Sequence, residues 1–157
     1  MKLLTFHLSP DSFIAKNGKI KEIGETYIQL DDYAFPDKEW TDFAFNIIYW
    51  WMESFTKIFT NETKKIKCSF MDVNYRFDIE KIDSQVWNVQ LVAERATDEV
   101  WQSGEVSCKQ VTEAIVQNAY LIAELDKKRG NDKAAENYIL RAQSLLELME
   151  NSLTNAK

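Results

Sequence analysis

The chain has few of the residues from which compact chemical sites are built: four glycines, two prolines, two cysteines and one histidine among 157 residues. So few, scattered glycines form no glycine-rich loop of the kind that cradles a phosphate or a dinucleotide. The single histidine, His7, cannot make a two-histidine metal site and gives no sign of a Ser-His-Asp triad. We therefore expect no cofactor, no metal and no catalytic residue. The shortage of glycine and proline also predicts long regular elements with few loops.

The two cysteines, Cys68 and Cys108, are too few for a disulfide framework. They fall on a predicted strand and at a predicted strand–helix junction, where a cysteine is usually a small buried apolar side chain. A strand-like segment follows Met1 directly, without the pattern of a signal peptide. We therefore expect a cytoplasmic protein with both thiols reduced.

Long apolar runs and an excess of basic residues are also absent. The most apolar stretch, around Phe43–Met52, contains Asn46 and falls short of the ~18 residues that a membrane-spanning helix needs. The net charge is −6, and binding to a phosphate backbone requires a basic surface. The sequence therefore argues against a membrane or a nucleic acid as the partner.

What the chain does contain is an acidic segment followed at once by an aromatic one. Residues 31–42 hold five carboxylates and one lysine, and aromatic residues recur from 43 to 51. Such a cluster repels itself unless a positive group is near, and tryptophan is enriched at binding hot spots. We predict that a basic protein partner binds these carboxylates and the tryptophan among them: Asp31, Asp32, Asp37, Glu39, Trp40 and Asp42.

Two other roles for these carboxylates remain open. Asp37 and Asp42 could simply cap a helix and complement its dipole. The cluster could also hold a metal or act as a general acid and base, although clustered acids more often form a solvated or partner-facing surface.

The first thirty residues predict short strands. Leu3–Leu8 alternates apolar and polar residues, and Tyr27–Leu30 reads as a further strand. Asn17-Gly18 is a hairpin-turn dipeptide between Phe13–Lys16 and Lys19–Ile23.

Residues 64–107 predict an antiparallel meander with one buried face. Four alternating segments follow one another with short turns and no helix between them. The residues predicted to point inward are Phe70, Phe77, Ile79, Val89 and Leu91. A helix across Tyr75–Glu94 would contradict this prediction.

Three helices are predicted around the meander. Apolar residues at helical spacing indicate an aromatic-rich helix over about 38–59, capped by Asp37 or Thr41. The alternative is a strand through Phe43–Trp50, because β-branched and aromatic residues are dense there. Trp50 and Trp51 are adjacent and would point about 100° apart on a helix, so one belongs to the core and the other to an edge or an interface.

A helical hairpin is predicted over about 109–152, with Gly130 ending its first helix. This pair resembles a single tetratricopeptide unit over about 34 residues, with Gly130-Asn131 at the turn and Ala135, Ile139 and Ala142 on the second helix. Because a solenoid needs about three or more repeats to be stable, we interpret the pair as an ordinary hairpin packed on the sheet.

A second resemblance covers more of the chain. It consists of FPDKEWTDF at 35–43, the helix with Trp50-Trp51, and a strand ending in Phe70-Met71-Asp72 before Tyr75. These features resemble small bacterial proteins grouped with the immunity proteins of contact-dependent or polymorphic toxin systems. The resemblance implies a small acidic α+β protein that binds a cognate toxin and blocks it.

The sequence thus predicts one α+β domain spanning residues 1–157. The expected function is that of a cytoplasmic binding protein, not an enzyme, which neutralises a toxin stoichiometrically. The alternative is a structural or adaptor module, such as a homodimer, that associates through an apolar helical face. A small enzyme is the third possibility.

Overall fold

The structure, a computed structural model, describes residues 1–155, so the last two residues of the predicted domain lie outside it. It is an α+β fold with two antiparallel sheets and three helices, which confirms the predicted fold class. In chain order the elements are β1 (Leu4–Leu8), β2 (Gly24–Leu30), β3 (Tyr33–Phe35), β4 (Thr41–Asp42), α1 (Ala44–Phe59), β5 (Lys65–Ser69), β6 (Tyr75–Lys81), β7 (Val86–Glu94), β8 (Asp98–Ser107), α2 (Cys108–Lys128) and α3 (Asp132–Asn155).

Strands β5 to β8 form the predicted meander, each paired antiparallel with the next. All five residues predicted to point inward are buried in the core. The alternation has this effect because successive strand residues point to opposite faces of a sheet. The pairing of β7 with β8 shifts between Leu91 and Val92, where a bulge interrupts the register.

The opposite face of the meander carries a buried ionic cluster. Arg76 is 4% exposed and donates from Nε to Asp78 Oδ1 at 2.8 Å. It also pairs with Glu94, and its Nη2 lies 3.0 Å from Asp98 Oδ2. Its bond to Asp78, helped by the other two carboxylates, outweighs burial and raises the pKa of Arg76. The cluster ties β6 to the bulged end of β7 and β8.

The N-terminal sheet has the order β1-β2-β3, with β4 on β2. The predicted strands at 3–8 and 27–30 are both present, and β2 begins earlier, at Gly24. Around Asn17-Gly18, the two strands that were predicted on either side of the turn do not form. The two arms make only one bridge, Ile14 to Ile20, around a turn in which Gly18 has φ +83°. Phe13, the first residue of the predicted Phe13–Lys16 arm, instead ends a 3-10 turn over Pro10–Phe13, and its ring lies in the core.

The two sheets meet through Lys2, two residues before β1 begins. Lys2 donates its backbone N–H to Glu105 O at 2.8 Å and its Nζ to Ser103 O at 2.9 Å. Helix α2 packs over β1, where Asn118 Nδ2 donates to Phe6 O at 3.1 Å. The N-terminal strand is therefore held on its sheet, at the edge of the meander and under a helix.

Helix α1 begins at Ala44, so its predicted start near residue 38 is wrong, and so is the alternative strand across Phe43–Trp50. Thr41 and Asp42 pair with Gly24 and Glu25 of β2 instead. Neither Asp37 nor Thr41 caps the helix, because the N-cap position is Phe43, without a side-chain hydrogen bond. Strand pairing takes precedence here because it satisfies the backbone of a segment that would otherwise open the helix.

The two adjacent tryptophans of α1 divide as helical geometry requires. Trp51 is buried and donates from Nε1 to Ser69 O at 2.8 Å, whereas Trp50 is 47% exposed.

The predicted C-terminal hairpin is confirmed as α2 and α3, with Gly130 at φ +82° between them. Tyr138 of α3 donates to Phe45 O of α1, and burial raises the pKa of Tyr138. Within residues 1–155, no helix is both long and apolar enough to cross a membrane.

Gly24 at the start of β2 provides a test of core packing. A Cβ placed on Gly24 would lie 2.5 Å from three ring carbons of Phe13, which is fully buried. We expect Gly24→Ala to lower the free energy of unfolding by about 1–3 kcal/mol, because the ring has no room to move. Urea denaturation measures this loss. Gly104→Ala is the matched control, since its Cβ meets the flexible Lys2 side chain. An equal or larger loss for Gly104→Ala would contradict the packing argument.

Candidate binding site

The acidic segment, residues 31–42, does not form one surface, because its two ends lie at different positions along β2. Asp31 and Asp32 form the turn between β2 and β3. Trp40 lies further back along β2, where its carbonyl accepts from Thr26 N at 2.8 Å. Leu30 and Thr26 are four strand residues apart, which corresponds to roughly 13 Å. The structure therefore separates the Asp31–Asp32 pair from Glu39, Trp40 and Asp42.

The two aspartates of the β2–β3 turn differ in their roles. Asp31 makes structural hydrogen bonds, whereas the Asp32 side chain makes none among the described contacts. Asp31 has φ +52°, donates its N–H to Leu3 O, and accepts from Leu3 N through Oδ1 at 2.8 Å. Aspartate tolerates this left-handed backbone better than most residues. Asp31 therefore holds the end of β1 to the turn, while the Asp32 side chain is exposed.

Asp42 is buried and does not face a partner, so its predicted place on the binding surface is corrected. It is 4% exposed. Its carboxylate accepts from Phe43 N at 2.7 Å, from Trp40 Nε1 at 3.0 Å and from Met71 N at 3.3 Å. These bonds join the loop before α1 to the end of β5. Asp42 thus positions Trp40 instead of meeting a ligand.

Trp40 is half-buried at the side of a cleft of about 270 Å³. Its ring meets Tyr75 edge-on, with 5.4 Å between centroids, and packs against Phe70 behind it at 6.5 Å. Ile23 and Met71 add apolar surface to the same cleft. Trp40 therefore presents one side to solvent on a firmly packed base.

Tyr75 continues this surface to Trp101, at 5.9 Å between ring centroids. We call Trp40, Tyr75 and Trp101 the aromatic row, because each is half-buried and each adjoins the next. Phe35 lies beneath the row, 5.9 Å from Tyr75 and 5.7 Å from Trp101.

Arg95 covers one end of the aromatic row. Its guanidinium carbon lies 5.6 Å from the ring centroids of both Tyr75 and Trp101. This distance falls within the range of a cation–π interaction.

Four exposed carboxylates lie on the segments that carry or adjoin the row, and we call them the acidic rim: Asp37 and Glu39, just before Trp40 in the chain, Asp72 and Glu99. Asp72 lines the Trp40 cleft, and Glu99 Oε1 accepts from Trp101 Nε1 at 3.3 Å. The Glu39 carboxylate also influences Tyr27. Burial of Tyr27 raises the pKa of its hydroxyl, and the negative charges of Glu25 and Glu39 raise that pKa further. Asp37 and Glu39 were predicted site residues. The rim therefore keeps two of the five predicted acids and adds two others.

Sequence reasoning missed Tyr75, Trp101 and Arg95. Tyr75 reads as an inward strand residue, and Trp101 falls on the least regular of the four predicted strands. Opposite Leu91 and Val92, Trp101 has no partner on β7, so Trp101 is the extra residue of the bulge that makes this strand irregular. A tryptophan in an irregular strand next to a turn was the available signal.

Asp42 provides a test of how the row is held. Asp42→Ala removes the acceptor for three N–H groups, and we expect it to lower the free energy of unfolding by about 2–4 kcal/mol. Asp32→Ala is the matched control, because Asp32 is exposed, and its effect should stay within about 0.5 kcal/mol. Chemical denaturation followed by circular dichroism measures both. Equal stability of the two variants would mean that Asp42 does not organise this loop.

Among residues 1–155, no group of three or more His, Cys, Asp or Glu side chains is arranged to hold a metal ion. Comparison with known proteins finds no matching protein family, no matching curated protein and no matching solved structure. The site is therefore interpreted from its own geometry.

Proposed function

We propose that this chain is a cytoplasmic protein that binds a basic partner protein through the aromatic row and the acidic rim. We further propose that the partner is a toxin, which the chain neutralises by stoichiometric binding as an immunity protein. The observation that supports this function best is a row of three half-exposed aromatic rings, packed on a buried aromatic base, with four exposed carboxylates on the segments that carry or adjoin it.

The two parts of the site suit the two kinetic steps of such binding. Complementary charge raises the association rate by up to ~10²–10³-fold at low salt. Aromatic anchors that are desolvated in the complex slow its dissociation. An inhibitor of a toxin needs both properties, because it must bind early and remain bound.

The resemblance to immunity proteins supports the same site. The motif FPDKEWTDF supplies Trp40 of the row and both Asp37 and Glu39 of the rim. Phe70-Met71-Asp72, the second part of the resemblance, supplies the packing behind Trp40 and the rim residue Asp72.

Neutralisation is tested by co-expression in a bacterial host. We expect a toxin gene beside the gene for this chain, and its toxic domain should stop growth unless the chain is expressed as well. Asp37→Lys/Glu39→Lys should weaken protection and slow association at least ~10-fold at low salt, with a smaller difference at high salt.

The matched control is Glu136→Lys/Glu147→Lys, which makes the same charge change on exposed positions of α3. This control should protect as the wild type does. Toxicity that persists beside abundant folded wild-type chain would reject the neutralising function. Equal loss in both double variants would reject the site and leave only a general effect of charge.

A second candidate function, self-association as an adaptor module, has its own supporting observation. Trp50 stands beside a groove of about 370 Å³ between α1 and α3, lined with Tyr49 and Tyr138 and with no charged side chain. An uncharged patch is where two copies of a −6 chain repel each other least. Sedimentation equilibrium of the wild type and of Trp50→Ser tests this. A wild-type monomer at high concentration would reject the candidate.

A further inference from the structure

We propose that the Tyr75–Trp101 end of the aromatic row binds an arginine side chain of the partner, and that Arg95 fills this place in the free protein. The inference rests on the proposed function, because it names the chemistry by which the same site takes its basic partner. Arg95 is then an internal substitute that the partner's arginine displaces.

The geometry around Arg95 carries this proposal. Tyr75 and Trp101 meet edge to face, inclined by 64° with their centroids 5.9 Å apart, and the place against both rings that Arg95 occupies is here called the slot. The Arg95 guanidinium carbon is equidistant from both rings at 5.6 Å. The slot is thus already occupied by the group it is proposed to recognise.

Arg95 is held weakly enough to leave. It is exposed, at the turn between β7 and β8. Within the described part of the chain its side chain makes one long hydrogen bond, from Nη2 to the Tyr75 hydroxyl at 3.5 Å, and no ion pair. This contrasts with Arg76 on the neighbouring strand, which is buried among three carboxylates. The cation over the row is therefore the exchangeable one.

The slot suits arginine better than lysine. A guanidinium can lie flat on an aromatic face while its N–H edge remains free for a carboxylate, whereas an ammonium is a compact, strongly hydrated charge. Glu99 stands at the edge of the Trp101 indole, where its carboxylate accepts from Nε1 at 3.3 Å. The remaining rim acids keep the surroundings negative, which favours an incoming cation over a neutral side chain.

The test is a titration of the purified chain with Nα-acetyl-arginine amide, with Nα-acetyl-lysine amide as the comparison ligand. Nuclear magnetic resonance follows the indole N–H signal of Trp101, assigned from its loss in Trp101→Phe. We expect a saturable shift with the arginine compound and a weaker one with the lysine compound. Arg95→Ala should bind about 2–5-fold more tightly than the wild type, because the internal competitor is gone.

The matched control is Arg141→Ala, since Arg141 also lies over an aromatic ring, 5.7 Å from the centroid of Tyr49, but on α3. It should bind as the wild type does. The proposal is overturned if Arg95→Ala shows no saturable shift, if its affinity equals that of the wild type, or if lysine binds as well as arginine. This titration uses no toxin. A chain that neutralises a toxin without binding arginine refutes only this inference, and one that binds arginine without neutralising refutes only the proposed function.

Discussion

Replacing Arg76 by methionine is expected to lower the free energy of unfolding by about 3–5 kcal/mol, because it leaves the buried Asp78 carboxylate without its cation. Both side chains are 5% exposed, so water cannot take the place of the guanidinium. Glu94 and Asp98 are 39% and 56% exposed at their side chains and can be hydrated instead. The loss should therefore come mainly from Asp78, and urea denaturation measures it.

The double variant Arg76→Met/Asp78→Leu separates the cost of an unpaired charge from the value of the pair. Replacing both partners of a buried ion pair by apolar residues is often nearly neutral. We expect the double variant to recover most of the stability that Arg76→Met loses. A double variant as unstable as the single one would show that the ionic cluster itself, through the strands it ties together, stabilises the fold.

Phe77→Ala, one residue further along β6 and on the opposite face, should cost about 3–5 kcal/mol. The Phe77 ring is 0% exposed. It meets Trp51 of α1 at 4.9 Å and Phe6 of β1 at 6.0 Å between centroids, so it joins the meander to both other layers. Removing it leaves a cavity between three elements that cannot all close on it.

Thermal and urea denaturation measure this loss, with Val73→Ala as the control, because Val73 is 67% exposed. Phe77→Leu should lose less than Phe77→Ala, since leucine fills part of the space. A melting temperature for Phe77→Ala indistinguishable from that of the wild type would place the ring outside the core and contradict the described packing.

The meander could be predicted because a strand that is buried on one face has alternating apolar and polar residues. Phe77, Ile79, Val89 and Leu91 alternate with polar neighbours, and no other structure would bury all four. The C-terminal hairpin could be predicted as well, because Gly130 follows the first helix at a position that requires a positive φ. Both patterns are local, and the elements that they predict are retained in the folded protein.

The start of α1 could not be predicted, because its cause is not local. Thr41 and Asp42 pair with β2, more than ten residues earlier, and the Asp42 carboxylate accepts from Met71, 29 residues later. The same difficulty hid part of the site. Asp31 and Asp42 look alike in sequence as members of an acidic run, and only the fold shows that each has a structural partner.

The aromatic row lies beyond sequence reasoning for a related reason. Trp40, Tyr75 and Trp101 come from three separate segments, and the contact of Tyr75 with Trp40 depends on how the two sheets meet. Half-exposure cannot be read from residue type, because a tryptophan is more often a core residue. The acids at 37 and 39 were the visible part of this site.

The way the N-terminal strand is held bears on how the protein is made. The partners of Lys2 and Phe6 at Ser103 and Asn118 lie 101 and 112 positions later in the chain. At ~5–20 residues per second, a ribosome needs on the order of 5–20 s to add these positions. Throughout that interval β1 can pair with β2 but lacks helix α2, whose Asn118 binds the Phe6 carbonyl. The packing around β1 is therefore completed only after α2 has emerged.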